Sequence, residues 1–257
     1  MTEHVRGEVS NGVLTLTLNR PDKKNALTRA MYQTLGDAIE GAADGTSVRC
    51  ILLQAEGDVF TAGNDLGDFA AINRGEPVEA PRGGNPLLSA LARATMPIVA
   101  AVNGRAVGIG TTLLLHCDLV FVSEDAVLTT PFVNLALTPE AASSLTLPAR
   151  IGHARAFAMF VLGEPVDAKT AVEWGLANAV CSRPELRGRA RAAAEAIAAR
   201  PASAVKLTKA LMRDPAALAA RMQIETTHFA AQLKSAEAKE AFAAFAEKRA
   251  PDFSRLA

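Results

Sequence analysis

Two segments of the chain combine glycines with a strand end in a pattern that could bind an anion. Residues 97–118 form an apolar run that is interrupted by Gly104, Gly108 and Gly110 and then resumes as an apolar helix. Glycines at a helix start leave backbone N–H groups accessible, and the helix dipole adds about half a positive charge there. Residues 59–66 follow a strand-like run and could direct another N–H group to the same point. Two convergent donors would form an oxyanion hole.

Other active-site patterns are absent or incomplete. Gly108 and Gly110 would belong to a dinucleotide-binding fingerprint only with a third glycine at the position of Leu113. No serine-hydrolase elbow or zinc-protease motif occurs, and His116 and His153 belong to no recognised catalytic motif, so we expect them to be structural or surface residues. An oxyanion hole without a nucleophile suits an acyl thioester, because the α-proton of a thioester can be removed once the enolate oxygen is stabilised. Each hydrogen-bond donor contributes about 3 kcal/mol to that stabilisation.

These turns resemble motifs of the crotonase superfamily, the enoyl-CoA hydratase and isomerase fold. Residues 62–66, Ala-Gly-Asn-Asp-Leu, match the family's Ala-Gly-x-Asp-Leu turn, and residues 101–110 match its Ala-x-Asn-Gly-x-Ala-x-Gly-x-Gly segment. Residues 19–27, 116–118 and 242–249 resemble its nucleotide-contacting loop, post-helix turn and C-terminal segment. The resemblance covers nearly the whole chain. It implies an α/β fold in which repeated ββα units form a crotonase-like spiral over residues 1–195, followed by a helical trimerisation region over residues 196–257.

The same resemblance assigns binding residues. The oxyanion donors would be the backbone N–H groups of Asn64 and Ile109. The coenzyme A pocket would be lined by Lys24, Ala26, Ala62, Asp65 and Leu66, with Phe245 and Lys248 reaching the nucleotide end, often from another subunit. Acyl-CoA is then the substrate, and we expect no metal or other cofactor. Without the resemblance, the glycine turns could be plain strand-to-helix connections and the two lysines solvated surface charges.

The acid and base depart from the hydratase pattern. Hydratases of the superfamily use two glutamates, and the corresponding positions here are Thr112 and Phe132. A different carboxylate, Glu140, matches the single catalytic glutamate of the peroxisomal-type Δ3,Δ2-enoyl-CoA isomerases. Apolar and small neighbours would desolvate it, which raises the pKa of a carboxyl group and strengthens it as a base. Alternatively, Glu140 could only complement the dipole of a following helix.

The favoured function is therefore a Δ3,Δ2-enoyl-CoA isomerase, in which one base takes a proton from C2 of a 3-enoyl-CoA and returns it to C4 of the resulting dienolate. Another crotonase reaction remains open, namely hydration, thioester hydrolysis or dehalogenation. A CoA-binding member without catalysis is also possible, although Glu140 argues against it.

Composition limits the alternatives. The chain has 257 residues, 49% of them apolar, and its 27 Lys and Arg balance 27 Asp and Glu. A net charge of zero disfavours a nucleic-acid partner, and no apolar run approaches the roughly 18 residues of a membrane span. Cys50, Cys117 and Cys181 lie in apolar contexts, so we expect reduced core thiols in a cytoplasmic protein.

Periodicity predicts the elements that position the site. Strands are expected at residues 5–9, 13–18, 48–54, 98–102, 119–122 and 127–129, and a helix is expected after an N-cap at Thr28. Residues 68–86 show neither helix nor strand periodicity, which predicts a mobile loop.

Helices are expected from about Glu185 onward, with breaks at Pro201 and Pro215. Their apolar stripe, which comprises Leu218, Met222, Phe229, Leu233, Phe242 and Phe245, would pack on neighbouring subunits of a homotrimer or a dimer of trimers, or else on the chain's own core.

Overall fold

Two sheets organise the part of the chain that the computed structural model describes, which is residues 1–44, 47–65, 67, 85–254 and 256. The strands are β1 (Val5–Ser10), β2 (Val13–Leu18), β3 (Cys50–Ala55), β4 (Ile98–Val102), β5 (Arg105–Val107), β6 (Leu119–Ser123), β7 (Val127–Thr129), β8 (Val166–Asp167) and β9 (Ala179–Cys181). The large sheet has the order β1-β2-β3-β4-β6-β9, and the small sheet has the order β5-β7-β8. All neighbours in the large sheet are parallel except the β1–β2 hairpin.

The repeated unit sends successive strands to different sheets. Strand β4 lies in the large sheet and the next strand, β5, in the small one; β6 and β7 repeat this division. A strand that is buried on both faces is typical of a parallel sheet covered by helices, and every residue of β4 is buried. This arrangement confirms the predicted α/β fold and its ββα units.

The helices surround the sheets. They are α1 (Arg29–Asp44), α2 (Pro86–Arg93), α3 (Ile109–Thr112), α4 (Ser143–Ile151), α5 (His153–Phe157), α6 (Ala168–Glu173), α7 (Arg183–Ala198), α8 (Ala202–Met212), α9 (Pro215–Gln232) and α10 (Ala236–Glu247). Single turns of 3-10 helix occupy Pro21–Lys23, Leu113–His116 and Val133–Leu135. Thr28 caps α1 as predicted, because its Oγ1 accepts a hydrogen bond from the Met31 N–H at 3.3 Å.

The C-terminal helices pack largely on the core of their own chain. Four residues of the predicted stripe, Leu218, Met222, Leu233 and Phe242, are buried in the main core, and Phe229 packs against it; Phe245 is 63% exposed. Packing on the chain's own core, the second of the two alternatives, is therefore confirmed for these five residues. The prediction that they pack on neighbouring subunits is wrong. The predicted boundary at residue 195 lies within α7.

Several other expectations have structural counterparts. Cys50, Cys117 and Cys181 are buried and form no disulfide, as predicted. In the described part of the chain, no helix is both long and apolar enough to cross a membrane. The predicted mobile loop lies mostly outside the described residues, and its last residue, Pro86, begins α2.

Candidate active site

The two glycine turns lie side by side. The Thr61 N–H donates to the Arg105 carbonyl oxygen at 3.2 Å, and the Val107 N–H donates to the Thr61 carbonyl oxygen at 3.1 Å. Gly63 has a φ of +88°, and a Cβ atom at this position would lie 2.7 Å from the Val107 carbonyl oxygen. Only glycine tolerates both the conformation and this approach. The structure thus brings residues 61–64 against the strand that leads into α3.

Each turn presents at least one backbone N–H group that has no hydrogen-bond acceptor in the described part of the chain. Gly108, with a φ of +56°, donates its own N–H to Thr129, and its carbonyl oxygen accepts from Thr111 and Thr112 at 2.9 and 3.0 Å. Ile109 then begins α3, where the first N–H groups have no acceptor within the helix. Among the described residues, the N–H groups of Asn64 and Ile109 have no hydrogen-bond acceptor. Both are available to a ligand oxygen, as an oxyanion hole requires.

Glu140 lies next to the first of these turns. Its side chain is buried, and the Asn64 Nδ2 donates to its Oε1 at 3.3 Å. The pKa of Glu140 is raised from 4.5 to about 7, mainly by burial; the Asn64 hydrogen bond opposes the rise, and the nearby Glu225 carboxylate adds to it. A carboxyl group with a pKa near neutrality can both take up and return a proton.

Tyr32 orients the Asn64 amide. Its hydroxyl, on α1, donates to the Asn64 Oδ1 at 2.6 Å, so the amide nitrogen is directed to Glu140. Burial and then the Glu140 charge raise the pKa of Tyr32 well above 10, which keeps the hydroxyl protonated as a donor. Sequence analysis missed Tyr32, although it is the chain's one tyrosine and occurs on the apolar face of a predicted helix.

The two hydratase positions carry no group that titrates. Thr112 is fully buried, and its Oγ1 has no hydrogen-bond partner among the described residues. Phe132 is buried, with its ring tilted against Phe160 at 6.1 Å between centroids. A Cβ added to Gly108 would lie 3.9 Å from the Phe132 ring, so an aromatic side chain occupies the space beside the glycine turn.

Four of the predicted coenzyme A residues belong to one pair of linked loops. The Ala62 N–H donates to the Lys24 carbonyl oxygen at 2.9 Å. Arg20 forms an ion pair of 2.7 Å with Asp65 and also donates to the Ala26 carbonyl oxygen at 3.1 Å. The hydrogen bond from Arg20 is the main cause of the lowered pKa of Asp65.

The remaining predicted coenzyme A residues lie elsewhere. Leu66 lies outside the described residues. Lys248 is the C-cap residue after α10, and α10 packs against the Val133–Leu135 turn. Both Phe245 and Lys248 are exposed. In one chain they are therefore surface residues.

His116 is structural, as predicted, while His153 is exposed. The His116 Nε2 donates to the Ala141 carbonyl oxygen at 2.7 Å, and the Arg213 Nη2 lies 2.9 Å from its Nδ1. Burial lowers the pKa of His116 to about 4, so the ring is neutral at pH 7. Within the described ranges, no cluster of His, Cys, Asp and Glu could hold a metal ion.

Comparisons with known proteins agree with this geometry. Residues 8–255 match the model of the enoyl-CoA hydratase/isomerase family. The chain is 33% identical to 1,2-epoxyphenylacetyl-CoA isomerase of Escherichia coli, over 99% of each chain. It is 35% identical to enoyl-CoA delta isomerase 2 of Rattus norvegicus, over 79% of this chain and 52% of that protein. The crystal structure of an enoyl-CoA hydratase/isomerase from Pseudoalteromonas atlantica has a TM-score of 0.92 and 42% identity, and covers 97% of this chain and 99% of its own.

Proposed function

Because the chain belongs to the enoyl-CoA hydratase/isomerase family, we propose that it is a Δ3,Δ2-enoyl-CoA isomerase. The observation that carries this proposal is Glu140, a buried carboxyl group with a pKa of about 7 beside a turn with an unpartnered N–H group. Thr112 and Phe132 supply no second acid or base. One group that carries a single proton between two carbons suits isomerisation, whereas hydration needs one group to activate water and another to protonate carbon.

The reaction uses groups of this chain. The Glu140 carboxylate removes a proton from C2 of a 3-enoyl-CoA, and the C2–H electron pair moves into the thioester to form a dienolate. The N–H groups of Asn64 and Ile109 stabilise the negative oxygen. Glu140 then returns the proton to C4, the double bond lies between C2 and C3, and the carboxylate is regenerated.

Coenzyme A is proposed to bind along the Lys24 and Ala62 loops, with Phe245 and Lys248 contributed by another copy of the chain.

The surface of α8 supports association between copies of the chain. Leu207, Leu211 and Met212 are 66%, 89% and 78% exposed, whereas Lys209 is the buried residue of this helix. This reversed burial is typical of a face that a partner covers. A homotrimer, alone or paired as a hexamer, is expected. In sedimentation velocity, Leu211→Asp should shift the population toward monomer, and an unchanged profile would exclude α8 from the contact.

The direct test compares three substrates at equal concentration. With trans-3-hexenoyl-CoA we expect conversion to the conjugated 2-enoyl-CoA, with solvent deuterium exchanged at C2 or introduced at C4. Crotonyl-CoA should be hydrated far more slowly. The third substrate is 1,2-epoxyphenylacetyl-CoA, for which one relative is named. Hydration of crotonyl-CoA at a rate comparable to isomerisation would overturn the single-base mechanism, and turnover of the epoxide alone would replace the proposed substrate.

A further inference from the structure

The turn that follows Glu140 has a backbone conformation that its residues disfavour. Ala141 and Ala142 have φ values of +63° and +55°, in the left-handed region. For a residue with a Cβ atom this region is sterically unfavourable. Two consecutive alanines in this region persist only when surrounding groups hold them. Because the turn begins at Glu140, those groups determine where the carboxylate lies.

A buried carboxylate from the C-terminal half holds this turn. Glu225 on α9 accepts the Ala142 N–H at its Oε2, at 2.6 Å, and the Ser144 N–H at its Oε1, at 2.9 Å. Each oxygen faces a donor, so a proton on either would oppose an N–H; the ionised form fits this geometry. Glu225 is only 5% exposed, so its carboxylate contacts the turn and is shielded from solvent.

A second contact holds the other side of the turn. His116 donates to the Ala141 carbonyl oxygen, and Arg213, which lies between α8 and α9, supports the imidazole. Both contacts therefore depend on the segment that begins at α8. Deleting that segment would release the turn even in an isolated chain.

We propose that Glu225 is a positioning residue, which clamps the turn at Ala142 and Ser144 and thereby sets the place and the charge state of the Glu140 carboxylate. This inference rests on the proposed role of Glu140 as the base. It gives the C-terminal helices a function inside one chain, separate from any contact between subunits. It also explains why a charged residue lies on the apolar stripe, one turn after Met222 and one turn before Phe229.

The charges around the pair predict the direction of a pH effect. The charge of Glu225 on α9 raises the pKa of Glu140. Tyr32 on α1 is uncharged and is linked to Glu140 by its hydrogen bond to Asn64. Burial raises the pKa of Glu225, while its hydrogen bonds with Ser144 and Ala142 and the charge of Arg221 on its own helix favour the ionised form. On the far side of the turn His116 is neutral, with Arg213 behind it. Removing the negative charge of Glu225 should therefore lower the pKa of Glu140. The pH at which the base becomes active should move downward.

The experiment compares Glu225→Gln with Glu237→Gln, which removes one exposed carboxylate from α10. With trans-3-hexenoyl-CoA, we expect Glu225→Gln to lower kcat at least tenfold, to leave KM within about twofold, and to move the midpoint of the kcat profile to lower pH. Glu237→Gln should change none of these. Parental kcat and midpoint in a folded Glu225→Gln protein would overturn the proposal.

A second variant separates positioning from stability. Glycine adopts the left-handed conformation without strain, so adding Ala142→Gly to Glu225→Gln should restore the melting temperature but not the pH midpoint. This double variant is measured in place of Glu225→Gln if the single variant does not fold. Recovery of both kcat and midpoint would show that Glu225 only stabilises the fold, and would overturn the proposal.

The titration of Glu140 can also be followed without substrate. In protein with ¹³C-labelled glutamate, its carboxyl signal is the one that is absent from Glu140→Gln. A lower titration midpoint in Glu225→Gln, but not in Glu237→Gln, supports the clamp, and equal midpoints contradict it. A parent that fails to isomerise hexenoyl-CoA would refute the proposed function alone, because this titration still tests Glu225.

Discussion

Replacing Glu140 by Gln should inactivate the protein and stabilise its fold at the same time. The amide keeps the size of the side chain and can still accept the hydrogen bond from Asn64, but it cannot take a proton from C2. Loss of a general base lowers kcat by about 10²–10⁴-fold, which corresponds to about 3–5 kcal/mol in the activation barrier. Substrate binding should persist, because the amide leaves the N–H groups of the two turns in place.

The gain in stability follows from the raised pKa of Glu140, from 4.5 to about 7. Below pH 4.5 the carboxyl group is protonated in both the folded and the unfolded chain, and it contributes nothing. Between pH 4.5 and 7 the unfolded chain is ionised while the folded chain keeps the proton, so stability falls as the pH rises. Above pH 7 the loss is complete, at about 3 kcal/mol as an upper value at 1.36 kcal/mol per pKa unit.

Urea unfolding of the parent and of Glu140→Gln at pH 5 and pH 8 measures this difference. The variant should be slightly more stable than the parent at pH 5 and more stable by up to about 3 kcal/mol at pH 8. Glu237→Gln, which changes an exposed carboxylate, serves as the control. A stability difference that does not grow between the two pH values would refute the buried, proton-holding state of Glu140. Parental turnover in the variant would remove Glu140 from the mechanism.

Three further changes test the groups around Glu140. Tyr32→Phe removes the donor that orients Asn64; since one hydrogen bond contributes about 1 kcal/mol, kcat should fall about fivefold with KM unchanged, and an unaltered kcat would show that the amide orients itself. Ile109→Pro removes one proposed oxyanion donor and should lower kcat about a hundredfold or more, provided that melting temperature and CoA affinity show an intact fold; near-parental turnover would mean that the donor is misassigned. Lys248→Ala should raise KM for acyl-CoA several-fold at low salt, with a smaller effect at high salt, if the exposed side chain of another copy meets the nucleotide; a KM equal to the parental value at both salt concentrations would exclude it.

The sequence alone determines the local features of this protein. Glycines at positions 63 and 108 are required where the chain makes tight turns, and these positions predict the two adjacent backbone donors. Thr28 is recognisable as a helix cap because its side chain acts on an N–H only three residues away. Glu140 is predicted from the resemblance to the single catalytic glutamate of the Δ3,Δ2-enoyl-CoA isomerases, once Thr112 and Phe132 occupy the hydratase positions, and its apolar neighbours predict a raised pKa.

Only the tertiary structure decides which distant groups meet. The helical spacing of the stripe from Leu218 to Phe242 predicts an apolar face, but periodicity does not specify whether that face meets the chain's own core or another copy. Asn64 and Glu140 are 76 residues apart, and Ala142 and Glu225 are 83 residues apart. Contacts over such separations depend on how the sheets and helices pack as a whole, because no local propensity encodes them. The surroundings of Glu140 are set in this way: Asn64, which Tyr32 of α1 orients, donates to its carboxylate, and Glu225 of α9 binds the turn that follows it.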